Sequence, residues 1–144
     1  MTEEDILIVT KKGMVIKVPS NDIKAIGRLT CGVKGIGLKD DDEVVSAFPV
    51  TDELVIITAQ GKGKRVKSSQ FIIQSRGGRG VSGIKLDIGD HVAAAAAVSP
   101  LDSLLIVGKP NSICIPASEL SEQTRNSSGT KVIEKSTIQT AVRL

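Results

Sequence analysis

Aromatic residues are almost missing from this sequence: among 144 residues there are two Phe, no Tyr and no Trp. That excludes a mechanism built on a tyrosine nucleophile and a single-strand-binding surface built on stacked aromatics. Cysteine and histidine are as scarce, at two and one. Cys31, Cys114 and His91 fall short of the four ligands of a tetrahedral zinc site. The two cysteines close at most one disulfide and read as small reduced residues, Cys114 within a strand and Cys31 in a loop. No apolar run approaches the roughly 18 residues of a membrane span. The start Met1-Thr2-Glu3-Glu4-Asp5 is acidic where a signal peptide is basic. The expected location is the cytoplasm, without membrane contact.

What is present fits a folded domain: 40% hydrophobic residues, 24% charged residues and a net charge of +3. The length suffices for one ordinary core or a short run of small repeated units. The mild excess of base permits an acidic partner such as nucleic acid but does not demand one.

The chain is internally repetitive. Ile6-Leu7-Ile8-Val9-Thr10 followed by Gly13 returns 48 residues later as Leu54-Val55-Ile56-Ile57-Thr58 followed by Gly61. At the same offset Lys17 returns as Arg65, Ile23 as Phe71, Arg28 as Arg76 and Gly32 as Gly80. Asp42, Val44 and Ala47 return as Asp90, Val92 and Ala95. One register held across a whole unit is a duplication. A third, worn copy follows: Leu104-Leu105-Ile106-Val107 matches the first strand, Asn111 stands for the glycine, and Arg125 with Gly129 matches Arg28 with Gly32. The offset from the second copy falls from 50 at Asn111 to 49 at Gly129, and the pattern fades over 135–144. A terminal repeat is often atypical.

Each unit reads as strands: an Ile/Val/Leu run, a glycine turn, a shorter alternating strand, a polar loop, an extended stretch such as Val33 to Lys39, an acidic turn and a last strand. Four strands per unit of this length is the arithmetic of a propeller blade. Five alanines, Ala93 to Ala97, favour helix by propensity. Their repeat partner Val44-Val45-Ser46-Ala47-Phe48 is strand-like, so the alanines are expected to be strand too.

No catalytic constellation emerges. Asp40-Asp41-Asp42-Glu43 lacks the ligand spacing of a calcium loop and reads as a solvated turn. His91 beside Asp90 has no nucleophile placed to use it. Gly78-x-Gly80-x-x-Gly83 has the form of a dinucleotide fingerprint, but no helix follows it.

The basic segments are more telling. Thr58-Ala59-Gln60-Gly61-Lys62-Gly63-Lys64-Arg65 and Gly80-Val81-Ser82-Gly83-Ile84-Lys85-Leu86 carry the two halves of a repeat. That repeat resembles the C-terminal DNA-wrapping domain found in the A-type subunits of DNA gyrase and topoisomerase IV. The resemblance covers nearly the whole chain. Gln74-Ser75-Arg76-Gly77-Gly78-Arg79-Gly80 looks like that family's Gln-Arg-Arg-Gly-Gly-Lys-Gly box. It departs from the box at Ser75, which loses an arginine, and at Arg79, which keeps the charge. It also lies in the second unit, where the family usually has it in the first.

The resemblance implies an all-β fold, a propeller-like β-pinwheel of three four-stranded repeats (1–50, 51–99 and a divergent 100–144) whose neighbouring blades exchange a strand. It implies duplex DNA as partner, bound without sequence specificity and bent on a basic rim. The implied contacts are Gln74, Arg76, Gly77, Gly78, Arg79 and Gly80 of the box, Lys62, Lys64, Arg65 and Lys67, and Lys17 and Arg28 of the first unit. Glycines let a backbone approach phosphate and arginines supply forked donors. From the residues alone, a solvated glycine loop and a charged edge that blunts strand pairing remain open. No cofactor, metal or catalytic residue is expected. Strand cleavage and ATP hydrolysis would belong to the remaining domains or subunits of a type II topoisomerase, of which this would be the C-terminal module or a stand-alone relative. Three blades fall short of the family's usual six, so a homodimer completing a six-blade ring is a further expectation. The alternative is a propeller-like protein-interaction module without DNA affinity, with the worn third unit as its docking surface.

Overall fold

The computed structural model of the protein describes residues 5–19, 42–73, 80–99, 101–133 and 136–144. Val33 to Lys39 and Asp40-Asp41 lie outside them. Eleven strands, numbered here in chain order, build three antiparallel sheets. In the first, β1 (Asp5–Thr10) pairs with β2 (Met14–Pro19) on one side and with β3 (Val44–Pro49) on the other. In the second, β4 (Glu53–Thr58) lies between β5 (Lys62–Lys67) and β7 (Val92–Val98). In the third, β8 (Ser103–Lys109) lies between β9 (Ile113–Pro116) and β11 (Thr137–Arg143).

The repeated Thr-x-x-Gly motif closes the first hairpin of each of the first two sheets. Thr10 Oγ1 accepts from Met14 N, and Thr58 Oγ1 accepts from Lys62 N, both at 3.1 Å. The threonine carbonyls accept from Gly13 N and Gly61 N. The repeated aspartate serves the same turns: Asp42 Oδ1 takes Lys12 N at 2.9 Å, and Asp90 Oδ1 takes Gln60 N at 3.0 Å. These carboxylates brace backbone donors, and no group of three or more metal-ligating side chains occurs among the described residues.

The fourth strand of each of the first two sheets comes from the repeat that follows. β6 (Val81–Ser82), in the second repeat, pairs with Met14 and Val15 of β2. β10 (Thr130–Lys131), in the third, pairs with Lys62 and Gly63 of β5. Parallel bridges Lys17↔Ile73 and Arg65↔Glu122 extend each exchange at equivalent places. The second and third repeats thus each supply four strands, β4–β7 and β8–β11, three kept in the repeat's own sheet and one of two residues lent to the sheet before it, and the third sheet has three strands among the described residues.

β3 packs against β7 and β7 against β11, so the last strands of the sheets line a common inner side. The helix propensity of Ala93 to Ala97 is overridden here. The alanine run pairs along β4, and Ala94 and Ala95 are buried. The third unit, whose sequence fades, keeps the same geometry. β3, β7 and β11 each carry a bulge at the equivalent point, where Val9/Thr10, Ile57/Thr58 and the Ile138/Thr140 step shift register.

Because β4 lies in the middle sheet, all six of its residues are buried. Leu54 and Ile56 pack with Leu7, Val9, Val15 and Val92 toward the first sheet. Val55 packs with Val98, Leu104 and Leu120, and Ile57 with Ile106 and Ile138, toward the third. Each such side chain contributes about 1.5–3 kcal/mol relative to exposure.

Candidate nucleic-acid interface

From the inner side outward the strand orders run β3-β1-β2-β6 and β7-β4-β5-β10, which makes β6 and β10 the outer edges. Cations gather there. Lys62 on β5 and Lys131 on β10 are direct cross-strand partners. Like charges placed opposite one another destabilise a sheet. Lys62 relieves this by pairing with Asp87 Oδ2 at 2.6 Å, and Lys131 Nζ donates to Gln60 O at 2.8 Å. Lys85, three residues beyond β6, is exposed. Lys17 and Lys67 line one cleft between the first and second sheets, with Thr51, Asp52, Ser68 and Ser69. Lys67 also pairs with Glu122 at 3.4 Å, and both side chains are about half exposed. Exposed pairs of this kind hold by roughly 0–1 kcal/mol, so an arriving phosphate displaces them cheaply.

Two of the expected contacts are placed elsewhere. Lys64 is 0% exposed, and its ammonium donates to Thr124 O at 2.7 Å, Ser127 O at 2.8 Å and Ser127 Oγ at 3.2 Å. Its repeat counterpart is the buried Ile16, and burial pushes its pKa down to about 8. Arg65 donates through Nη1 to Glu53 Oε2 at 2.8 Å and through Nε to Leu120 O at 2.7 Å. Both side chains fasten the second sheet to a loop of the third repeat, and neither presents its charge at the outer edge. Gly80 is also structural: its φ is +75°, and an added Cβ would lie 2.5 Å from Val15 O. It is where the donated strand crosses under β2. Gln74, Arg76, Gly77, Gly78, Arg79 and Arg28 lie outside the described residues.

Sequence reasoning missed Lys85, Arg125 and Lys131. Arg125 was within reach, being the third copy of Arg28 and Arg76. Its Nη1 donates to Ser82 O at 3.2 Å, across from the third repeat to β6. Lys131 stands where the second repeat has Ser82, so no periodic signal marks it.

The sheets, their exchanged strands and the cationic outer edge define a propeller-like repeat module. The model of the family described as "DNA gyrase C-terminal domain, beta-propeller" matches residues 4–51, 52–99 and 114–139. The chain belongs to that family. It is 41% identical over 138 residues to the DNA gyrase A subunit of Kosmotoga olearia, covering 92% of this chain and 17% of that protein. With the DNA gyrase A subunit of Helicobacter pylori it shares 35% identity over 134 residues, 89% of this chain and 16% of that one. The chain thus spans about one sixth of the curated relatives it matches. Among solved structures, the C-terminal domain of DNA topoisomerase IV superposes with a TM-score of 0.87 at 21% identity, over 98% of this chain and 46% of that one. The E. coli ParC C-terminal domain gives 0.72 at 17% identity, over 98% and 62%. At these identities the superpositions show a shared fold. Among the described residues no helix is long and apolar enough to cross a membrane.

Proposed function

We propose that this chain binds duplex DNA without sequence specificity and bends it along the outer edge of its sheets, as the C-terminal module of a type IIA topoisomerase A-type subunit or a stand-alone relative. The observation that carries the reading is the cross-strand pair Lys62 and Lys131 on the outermost strands of the second sheet. Lys85 and the Lys17–Lys67 cleft lie on the neighbouring edges. The mechanism is electrostatic. Each neutralised phosphate releases counterions, and the contacts offset a bending cost of about 1–6 kcal/mol for a 20–30 bp segment. Arg76 and Arg79 of the box and Arg28 extend this path in the proposal. Strand cleavage and ATP hydrolysis belong to other parts of the topoisomerase, which are its protein partners.

The test is a titration of mixed-sequence duplex DNA at several salt concentrations. Affinity should fall steeply with salt, and the variant Lys62→Ala/Lys131→Ala should lower the logarithmic slope by up to about 2, roughly 0.9 for each lost phosphate contact. Absence of binding at low salt overturns the proposal. It would favour the second reading, a protein-docking module. That reading has one supporting feature, the third sheet, where Ile113 and Cys114 replace Lys64 and Arg65 on the register of β9.

A further inference from the structure

The loop that leads into β10, residues 121–129, reaches further than its place in the chain requires. In a run of repeats each unit ordinarily meets only its neighbours. This loop belongs to the third repeat, yet it holds a strand lodged in the first sheet. On one side β5 grips it: Arg65 N donates to Ser121 O and Gln123 N donates to Arg65 O, both at 2.9 Å. The Lys64 ammonium closes on Thr124 O and Ser127 O. On the other side the loop grips the β6 segment. Lys85 N donates to Ser127 O at 3.0 Å, and Arg125 Nη1 donates to Ser82 O at 3.2 Å. Ser127 O thus takes two donors, the ammonium of a β5 lysine and the amide of a residue just past β6. Arg125 N donates to Gln70 Oε1 at 2.7 Å, which pins the backbone that carries the guanidinium.

The β6 segment is stitched into the first sheet. Val81 and Ser82 pair with Val15 and Met14, and Gly83 N donates to Gly13 O at 2.8 Å. Between β1 and β4 the first two sheets are fixed by apolar packing, with Leu7 and Val9 in one cluster with Leu54 and Ile56. Sheets held only there are free to splay at their outer edges. Toward the far ends of β2 and β5 they are in fact parted by a cleft of about 330 Å³ lined by Lys17 and Lys67. The loop is the span between the edges, joining β5 to the β6 segment. It also places a cation on each of them: Lys85, on the first sheet's edge, hangs by its amide from Ser127 O, and Lys131 follows the loop on β10.

We infer that Arg125 is a positioning residue for the DNA path: it locks the loop that spaces the outer edges of the first and second sheets, and so sets how sharply a duplex lying on Lys85 and Lys131 is bent. Its guanidinium serves the Ser82 carbonyl and not a phosphate. The effect on bending rests on the DNA-binding reading above; the bracing of β6 does not.

The test uses the whole chain and two readouts. The first is amide hydrogen exchange without DNA. Arg125→Ala, and separately Gln70→Ala, should quicken exchange of the Lys85 amide by about three- to tenfold. Arg125→Lys, whose ammonium still reaches the Ser82 carbonyl, should quicken it less. The second is energy transfer between the labelled ends of a mixed-sequence duplex of roughly 30 bp at saturating protein. Transfer should fall in both alanine variants and recover in Arg125→Lys, while the salt slope of binding stays that of the native chain. Gln70→Ala alters no charge, so its agreement with Arg125→Ala separates positioning from phosphate contact. A slope lower by about 0.9 in Arg125→Ala, with bend and exchange unchanged, puts Arg125 on a phosphate and overturns the inference. Unchanged Lys85 exchange in both folded alanine variants overturns it too. A native chain that binds no DNA overturns the DNA-binding reading and the bending effect with it, and Lys85 exchange then still decides whether Arg125 braces the first sheet to the second.

Discussion

Arg65 and Glu53 face each other across the β4–β5 hairpin, with Nη1 2.8 Å from Oε2 and the two side chains only 15% and 4% exposed. A charge pair so withdrawn from water is held by its surroundings, and the Arg65 Nε bond to Leu120 O ties it to the third repeat. Removing one partner leaves the other buried without compensation. Arg65→Ala should therefore cost about 3–5 kcal/mol in urea unfolding. The salt slope of DNA binding by the folded fraction should stay unchanged. Little lost stability together with a lower slope would place Arg65 on phosphate instead.

Lys64 makes stability depend on pH in a definite direction. Its pKa is pushed down by burial from the ordinary 10.5 to about 8 in the folded chain. Between those values the unfolded chain holds the proton that the folded chain has released, so stability rises with pH across that window. The full contribution is present above about 10.5 and is lost as pH falls through about 8. The span is on the order of 3 kcal/mol. Lys64→Met keeps the bulk and removes the titration. The difference in unfolding free energy between the native chain and this variant, followed from pH 7 to 10.5, should shift by that span. A difference flat across the window would mean that the ammonium is not held as the structure has it.

The same residue separates structural from DNA-facing base. Lys64→Met should leave the salt slope of DNA binding unaltered, because three acceptors of the third repeat already hold the ammonium. Arg76→Ala with Arg79→Ala should lower the slope by up to about 2 if the box lies on the DNA path. An unchanged slope in that double variant removes the box from the path, and the lysines of the outer edges would then carry binding alone.

Most of the architecture was legible because it is written in periodic residues. The Ile/Val/Leu runs, the Thr-x-x-Gly turns and the aspartates that brace them recur at a fixed offset, and each recurrence corresponds to one hydrogen-bonding role. The strand exchange left only one such mark, the glycine before each donated strand, Gly80 and Gly129, and nothing in the strands themselves. Val81–Ser82 and Thr130–Lys131 are two residues long, too short for alternation to show, and they differ in sequence. β11 was faint for a related reason: it matches β7 in register and bulge, while only Ile138 keeps the buried apolar character of Val92. Lys64 was misplaced because a lysine on a strand reads as surface. The repeat did hold the correction, since its counterparts Ile16 and Ile113 are apolar.

Gly80 gives the sharpest test of the exchanged strand. Its φ of +75° costs an L residue about 1–2 kcal/mol. A Cβ there would also meet Val15 O at 2.5 Å, a backbone atom that moves only if β6 leaves β2. Gly89 is the control, with a similar φ of +79° but only the end of Gln60 nearby, at 3.7 Å. Gly89→Ala should thus show the backbone term alone, about 1 kcal/mol. Gly80→Ala should cost several kcal/mol in thermal unfolding, and the exchange-protected amides where β2 and β6 pair, at Met14–Val15 and Val81–Ser82, should lose protection. Equal losses for the two variants would mean that β6 adapts to a side chain at position 80 without detaching, and that the glycine is required for its dihedral rather than for the close crossing.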